Sequence, residues 1–250
     1  MKNETTAPDE GPFYTRRGWQ ISAAALVVLL GLGITTVITS GPDERDDAAP
    51  RAVPSPSPSS ARPSSASPTG ADCPALPESD VIPTSGPTVD WALEGPVILP
   101  SSPSTGPARV DDHTGIARCF AHSPSGALVA AAQIGARYIV APGWKKLMEE
   151  QTYGPGRDEM IKARGEFMRT APPASPVPGE LGQIAGYQVV TYSPDTAVFQ
   201  LVVRFDTGEL QESTATVRWE DGDWRYQLPE KSGVTKPVPD LDGYHVWGGI

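Results

Sequence analysis

The pattern of apolar and polar positions divides the chain into three stretches. From Trp19 to Ile38 no residue is charged, and most are Ala, Leu, Val or Ile. A helix of about 20 residues rising about 1.5 Å each spans roughly 30 Å, the hydrocarbon thickness of a bilayer. Within lipid every backbone N–H and C=O needs an internal partner, which a helix supplies. A cleaved secretory signal would need a shorter apolar core and a small-x-small site, and Thr36-Val37-Ile38-Thr39-Ser40-Gly41 offers only weak candidates. The pattern therefore predicts an uncleaved transmembrane helix from Trp19 to Ile38. Arg16 and Arg17 precede it, whereas Asp43, Glu44, Asp46 and Asp47 surround Arg45 after it. Basic residues mark the cytoplasmic side, so residues 1–18 are expected as a cytoplasmic tail and the rest outside the cell membrane.

Residues 39–72 are rich in Pro, Ser and Ala and nearly free of large apolar side chains. Such a segment cannot offset its ordering entropy by burial, and it reads as a disordered, extended spacer. Patterned positions return from Cys73 to Ile250, a stretch long enough for one domain with a core. Residues 73–115 read as an irregular lead-in with one strand, and Ile116 to Ala121 suits another. Ser123 is a helix N-cap with Pro124 in the first turn, and Pro142-Gly143 is the stop. Leu128, Ala131, Ala132, Gly135, Tyr138 and Ile139 fall on one face of that helix. A short second helix carries Trp144, Leu147 and Met148. A third follows Gly154-Pro155-Gly156 with a stripe of Met160, Ala163, Phe167, Met168 and Ala171, and ends at Pro172-Pro173.

The remainder alternates with the period of a strand. Ala197, Phe199, Leu201, Val203 and Phe205 point one way, and Val198, Gln200, Val202 and Arg204 the other. Asp206-Thr207-Gly208-Glu209 is a turn, Ala215, Val217 and Trp219 share a face, and Glu220-Asp221-Gly222-Asp223 turns into Trp224, Tyr226 and Leu228. Helices followed by an antiparallel meander of three or four strands predict an α+β domain with the helices on one face of the sheet.

Composition removes some functions. The net charge is −10, from 30 acidic and 20 basic residues. A surface that neutralises phosphates along a nucleic acid needs the opposite balance, so direct nucleic-acid binding is not expected. Cys73 and Cys119 are the only cysteines. A pair on the outer side of a membrane sits in an oxidising compartment, where a disulfide is permitted. A bridge would restrain the unfolded chain by about 3–4 kcal/mol; two buried free thiols are the other reading.

No constellation of catalytic or metal-binding residues emerges. Asp111, Asp112 and His113 are adjacent on a Gly- and Pro-rich segment, where neighbours point apart, and read as a solvated turn. His122 and His245 are isolated. No spaced His/Cys set, nucleophile elbow or phosphate loop is present. Glu149 and Glu150, with Asp158 and Glu159, read as wet helix faces rather than the paired carboxylates of a glycosidase. Trp219 and Trp224 flank a hairpin, where stabilising the fold is favoured over stacking a sugar. The C-terminal Tyr244, Val246, Trp247 and Ile250 are too apolar for a frayed tail, and either add a strand or dock on a partner. No enzyme activity, cofactor or metal is expected.

Five segments carry a resemblance: "GPARVDDHTGIARCFAHSPSGALVAAAQ", "GPGRD", "GYQVVTYSPDTAVFQLVVR", "VRWEDGDWRYQL" and "VPDLDGYHVWGGI". Together they resemble a family of actinobacterial (Streptomyces-type) membrane proteins found with conjugative elements, over most of residues 85–250. The order of elements is also similar in layout to the cone-shaped, nuclear-transport-factor-2-like outer domains of bitopic conjugation proteins of the VirB8 and TcpC type. The resemblance implies a single-pass structural subunit of a cell-envelope apparatus for conjugative DNA transfer, similar to type IV secretion. Its outer domain would assemble with other envelope proteins, homo-oligomers being open, and no catalytic residues carry over. The other reading is a tethered module that binds a small ligand or cell wall, or a related enzyme, since a cone-shaped domain can hold a ligand between sheet and helices. The predicted inward face of Phe199, Leu201, Val203, Val217, Trp219 and Tyr226 is apolar, which favours a filled core.

Overall fold

The computed structural model describes residues 73–170, 181–231 and 235–249. The expected cytoplasmic tail, transmembrane helix and spacer lie outside these residues, as do Ala171 and Pro172-Pro173. Among the described residues no helix is long and apolar enough to cross a membrane. They form an α+β fold of three helices and a mostly antiparallel sheet.

The lead-in holds more structure than its pattern suggests. Strands β1 (Asp90–Glu94) and β2 (Val97–Ser101) form a hairpin where one strand was expected. Alternation failed to reveal it because Leu93 is 66% exposed and Pro100 stands inside the second strand. A second, minimal hairpin joins β3 (Arg109–Val110) to β4 (Ala117–Arg118). The strand expected over 116–121 stops there because Cys119 turns into the left-handed region, at φ 66°.

Helix α1 (Pro124–Val140) begins where its caps predict. The Ser123 hydroxyl accepts the Gly126 N–H at 3.1 Å, and Pro124 occupies the first turn, where its missing N–H leaves no orphan. A Cβ on Gly126 would overlap the Ala121 carbonyl oxygen, so the entry requires glycine. Every residue from Gly126 to Ile134 is buried, not one face alone. Small side chains at Ala127, Ala130, Ala131 and Ala132 let the sheet approach from one side and β2 from another. The expected stripe fails only at its far end, where Ile139 is 42% exposed. Helix α2 (Trp144–Gln151) buries Leu147 and Met148. It leads into β5 (Thr152–Tyr153) and α3 (Arg157–Thr170), which packs on α2 and has no fully buried residue. The apolar stripe of α3 is thus half-buried at Met160, Phe167 and Met168, and exposed at Ala163.

The meander is β6 (Gln183–Ser193), β7 (Thr196–Arg204), β8 (Leu210–Glu220) and β9 (Asp223–Gln227). Asp221 and Gly222, at φ 54° and 82°, make the left-handed two-residue turn that matches strand twist. Ala197, Phe199, Leu201, Ala215, Val217 and Trp224 face α1 and are buried with it. Three short strands complete a sheet of seven among the described residues. Strand β5 runs parallel to β9, β10 (Thr235–Val238) flanks the first half of β8, and β11 (His245–Val246) flanks β6. On the face away from α1, Ala185, Val202 and Leu210 form a small second core under Val238, Leu241 and Tyr244. The C-terminal segment adds a strand and also buries Trp247, whose indole N–H donates to the Pro87 carbonyl at 3.1 Å.

Candidate functional site

The loop that enters α1 gathers several long-range ties. Asp223 accepts the Cys119 N–H at 2.8 Å and the Phe120 N–H at 3.1 Å, and also the N–H of Trp224 at 3.0 Å. The Trp224 indole N–H donates to the Ala121 carbonyl at 2.9 Å. These bonds hold the β8–β9 hairpin against a backbone that Cys119 bends into a conformation non-glycine residues rarely adopt. A disulfide joins Cys119 to Cys73, with Cα atoms 5.4 Å apart. Burial pushes the Asp223 carboxyl above its ordinary value, and the three N–H bonds and the nearby Arg118 charge oppose this only in part.

Two arginines serve as staples. Arg137, 3% exposed, donates to Gln133 Oε1 at 2.6 Å, the Gly115 carbonyl at 2.9 Å and Glu94 Oε2 at 3.2 Å. Gln133 in turn donates to the Pro100 carbonyl at 2.8 Å, so α1 holds both lead-in hairpins through one polar network. Arg164 of α3 lies 4.4 Å over the Trp144 ring and donates to the carbonyls of Tyr138 and Ile139, at the electronegative end of α1. Burial draws its pKa down to about 10, which leaves it charged at neutral pH. On the other face of the sheet Glu212, 6% exposed, accepts from the Tyr244 hydroxyl, from Gln200 at 3.3 Å and from Lys236 at 3.0 Å. The bond to Glu212, with burial and its charge, pushes the Tyr244 hydroxyl up to about 12.

The candidates read from sequence do not converge. Asp111 accepts the N–H groups of His113 at 2.9 Å and Thr114 at 2.8 Å, which closes a turn and lowers its pKa. The His122 ring stacks on Trp219 with centroids 4.2 Å apart, and its Nε2–H donates to the Pro194 carbonyl at 2.7 Å. His245 packs beside Tyr187. Among the described residues no group of three or more His, Cys, Asp or Glu could hold a metal. Glu149 pairs with Lys145, Glu150 with Arg118 and Lys146, and Asp158 with Arg157. Trp224 is fully buried, and Trp219 meets it edge-on at 5.3 Å, so the pair is hairpin core rather than an exposed platform.

Open hollows lie on the surface of the described residues. One of about 390 Å³ lies between α2 and α3, lined by Trp144, Ile161, Lys162 and Arg169. Another, about 510 Å³, lies beside the β3–β4 hairpin, lined by Arg109, Asp111, Arg118 and Lys146. Between α1 and the sheet, the fully buried Leu128, Phe199, Val217 and Trp224 occupy the interior.

A family model matches residues 52–246, more than half of the chain. The chain belongs to the DUF8175 family, described as a domain of unknown function. No curated protein and no solved structure matches it. The polar residues that organise this DUF8175 fold, Arg137, Asp223 and Glu212, were all missed in sequence reading. The one local signal was Gln133 and Arg137, four apart within an otherwise apolar helix.

Proposed function

We propose that this DUF8175 protein is a single-pass, membrane-anchored structural subunit of a cell-envelope apparatus, and that the apparatus serves conjugative DNA transfer. Its outer domain works by contact with other envelope proteins, or with further copies of itself, and not by chemistry or by binding nucleic acid. The observation that carries this reading is the use made of the shielded charges. Arg137, Asp223 and Glu212 direct their hydrogen bonds into the fold's own backbone and side chains, so they join elements together instead of facing a cleft. The filled space between α1 and the sheet supports the same reading over a ligand-holding cone.

The apolar run from Trp19 to Ile38 and the Pro- and Ser-rich stretch to residue 72 support an anchor and a spacer. The disulfide suits an oxidising compartment outside the membrane. Helices followed by a mostly antiparallel sheet, with α1 packed on one face, are compatible with the layout of nuclear-transport-factor-2-like domains and support that reading. Crosslinking in membranes of the native host tests the proposal: recovery of defined envelope partners is expected, and recovery of monomers alone overturns it. A mature chain free in the medium, with its N-terminus near Ser40, overturns the anchor.

A further inference from the structure

Strands β3 and β4 place Arg109 directly opposite Arg118. Side chains opposite each other on antiparallel strands point to the same side with Cβ atoms about 5 Å apart, and like charges there repel. Acidic partners are abundant in this chain, at 30 against 20 basic residues. Even so, Arg109 belongs to no ion pair among the described residues. Both arginines line the hollow of about 510 Å³ together with Lys146 from the first turn of α2. Glu150 takes part of the charge of Arg118 and, at 3.9 Å, of Lys146. Asp111, which also lines the hollow, accepts the N–H groups of His113 and Thr114 through Oδ1 alone. The hollow is thus lined by three cations and one carboxylate, Glu150 lies beside it as the partner of Arg118 and Lys146, and Arg109 has no ionic partner among the described residues.

We propose that this hollow is a binding site for a phosphate-bearing ligand, gripped between the guanidinium groups of Arg109 and Arg118 and steadied by Lys146. A guanidinium fork matches two oxygens of an oxyanion at once, and a tetrahedral phosphate has oxygens enough for two forks and an ammonium. A carboxylate offers only two oxygens in one plane and a single charge to be shared between the two guanidinium groups. Ala108, Val110 and Ile116 line the same hollow and offer apolar contact to the organic part of the ligand. The site is a single hollow in a chain of net charge −10, which suits one phosphate group rather than a nucleic-acid backbone. It does not depend on the scaffold role, and it adds a ligand class to a domain read there as a contact surface.

The full-length protein in neutral detergent, titrated calorimetrically at constant ionic strength, tests the site. The probes are inorganic phosphate, glycerol 3-phosphate and a short-chain phosphatidylglycerol. Saturable binding of at least one is expected. Arg109→Ala should weaken it by about tenfold or more, the worth of one charge-assisted hydrogen bond, and Arg109→Lys should restore part of the loss. Arg109→Glu turns the like-charge pair into an opposite-charge pair, so it should unfold at the same or a higher temperature while losing binding, which separates a lost site from a lost fold. Arg169→Ala, on α3, should bind as the parent does. Binding of glycerol 3-phosphate or inorganic phosphate assigns a soluble or polymer-borne phosphate ester, and binding of the lipid alone assigns a headgroup. Binding of none of the three, or equal affinity in the parent and Arg109→Ala, overturns the proposal.

Discussion

The two faces of the sheet are covered by different means. Toward α1, Phe199, Val217 and Trp224 are fully buried against Leu128 and Ile134 in one continuous apolar layer. On the opposite face only Ala185, Val202 and Leu210 form a core, and the charged Glu212 sits among the groups that hold β10 and Tyr244. The first face is held by area, worth about 25 cal/mol per Å² of apolar surface removed from water. The second is held by hydrogen bonds that net about 1 kcal/mol each. Stability therefore resides on the helix side, which also holds Trp247, while the outer face mainly seats Val238, Leu241 and Tyr244.

Substitutions on each face sharpen the contrast. Trp224→Ala opens the helix-side core and orphans the Ala121 carbonyl, and should cost about 3–5 kcal/mol in urea unfolding of the full chain followed by circular dichroism. Cys73→Ser removes the bridge to Cys119 and should cost about 2–4 kcal/mol; the parent protein under reductant should unfold at the same urea concentration as the variant. Asp223→Asn should cost about 1–3 kcal/mol at neutral pH through an unpaired buried N–H. It should also change the pH dependence. A carboxyl raised in the folded state favours folding below its ordinary value of 3.8, and that contribution fades as pH rises through the folded value. The parent-minus-variant difference in unfolding free energy should therefore fall with rising pH from 3.8 upward, and a flat difference curve would reject a raised Asp223. Tyr244→Phe, on the outer face, should cost only about 1 kcal/mol, with faster proteolysis after residue 235 as its main sign. The hydroxyl is raised to about 12, so its contribution is complete below the ordinary value of 10 and is lost on the way up to 12.

The helix-side core was legible because its information is local. Alternation at Ala197, Phe199 and Leu201, the Ser123-Pro124 start, the Pro142-Gly143 stop and the Asp221-Gly222 turn each express a period or a backbone preference within a few residues. The pins were not legible for the opposite reason. Asp223 reads as one more turn residue, yet its partner Cys119 lies 104 positions away. Arg137 reads as a surface charge on a helix, yet the carbonyl it satisfies belongs to Gly115, on a loop whose course no periodicity predicts. In α3 the same periodicity that located the buried side of α2 described a stripe that the described residues only half cover. The candidate hollow was not legible because Arg109 and Arg118 are nine positions apart in the chain and become neighbours only where two strands of two residues each pair across the loop of residues 111–116.

The sulfur bridge has a mechanical consequence. Tension arriving at Cys73 from the N-terminal side passes across to Cys119, at the threshold of the most deeply buried helix, and the intervening hairpins are bypassed. Peeling β1 from β2 would release no length. With the bond reduced, the 46-residue separation is held only by the noncovalent ties of the two hairpins to α1, and stripping those as well would free at most roughly 160 Å of chain at full extension.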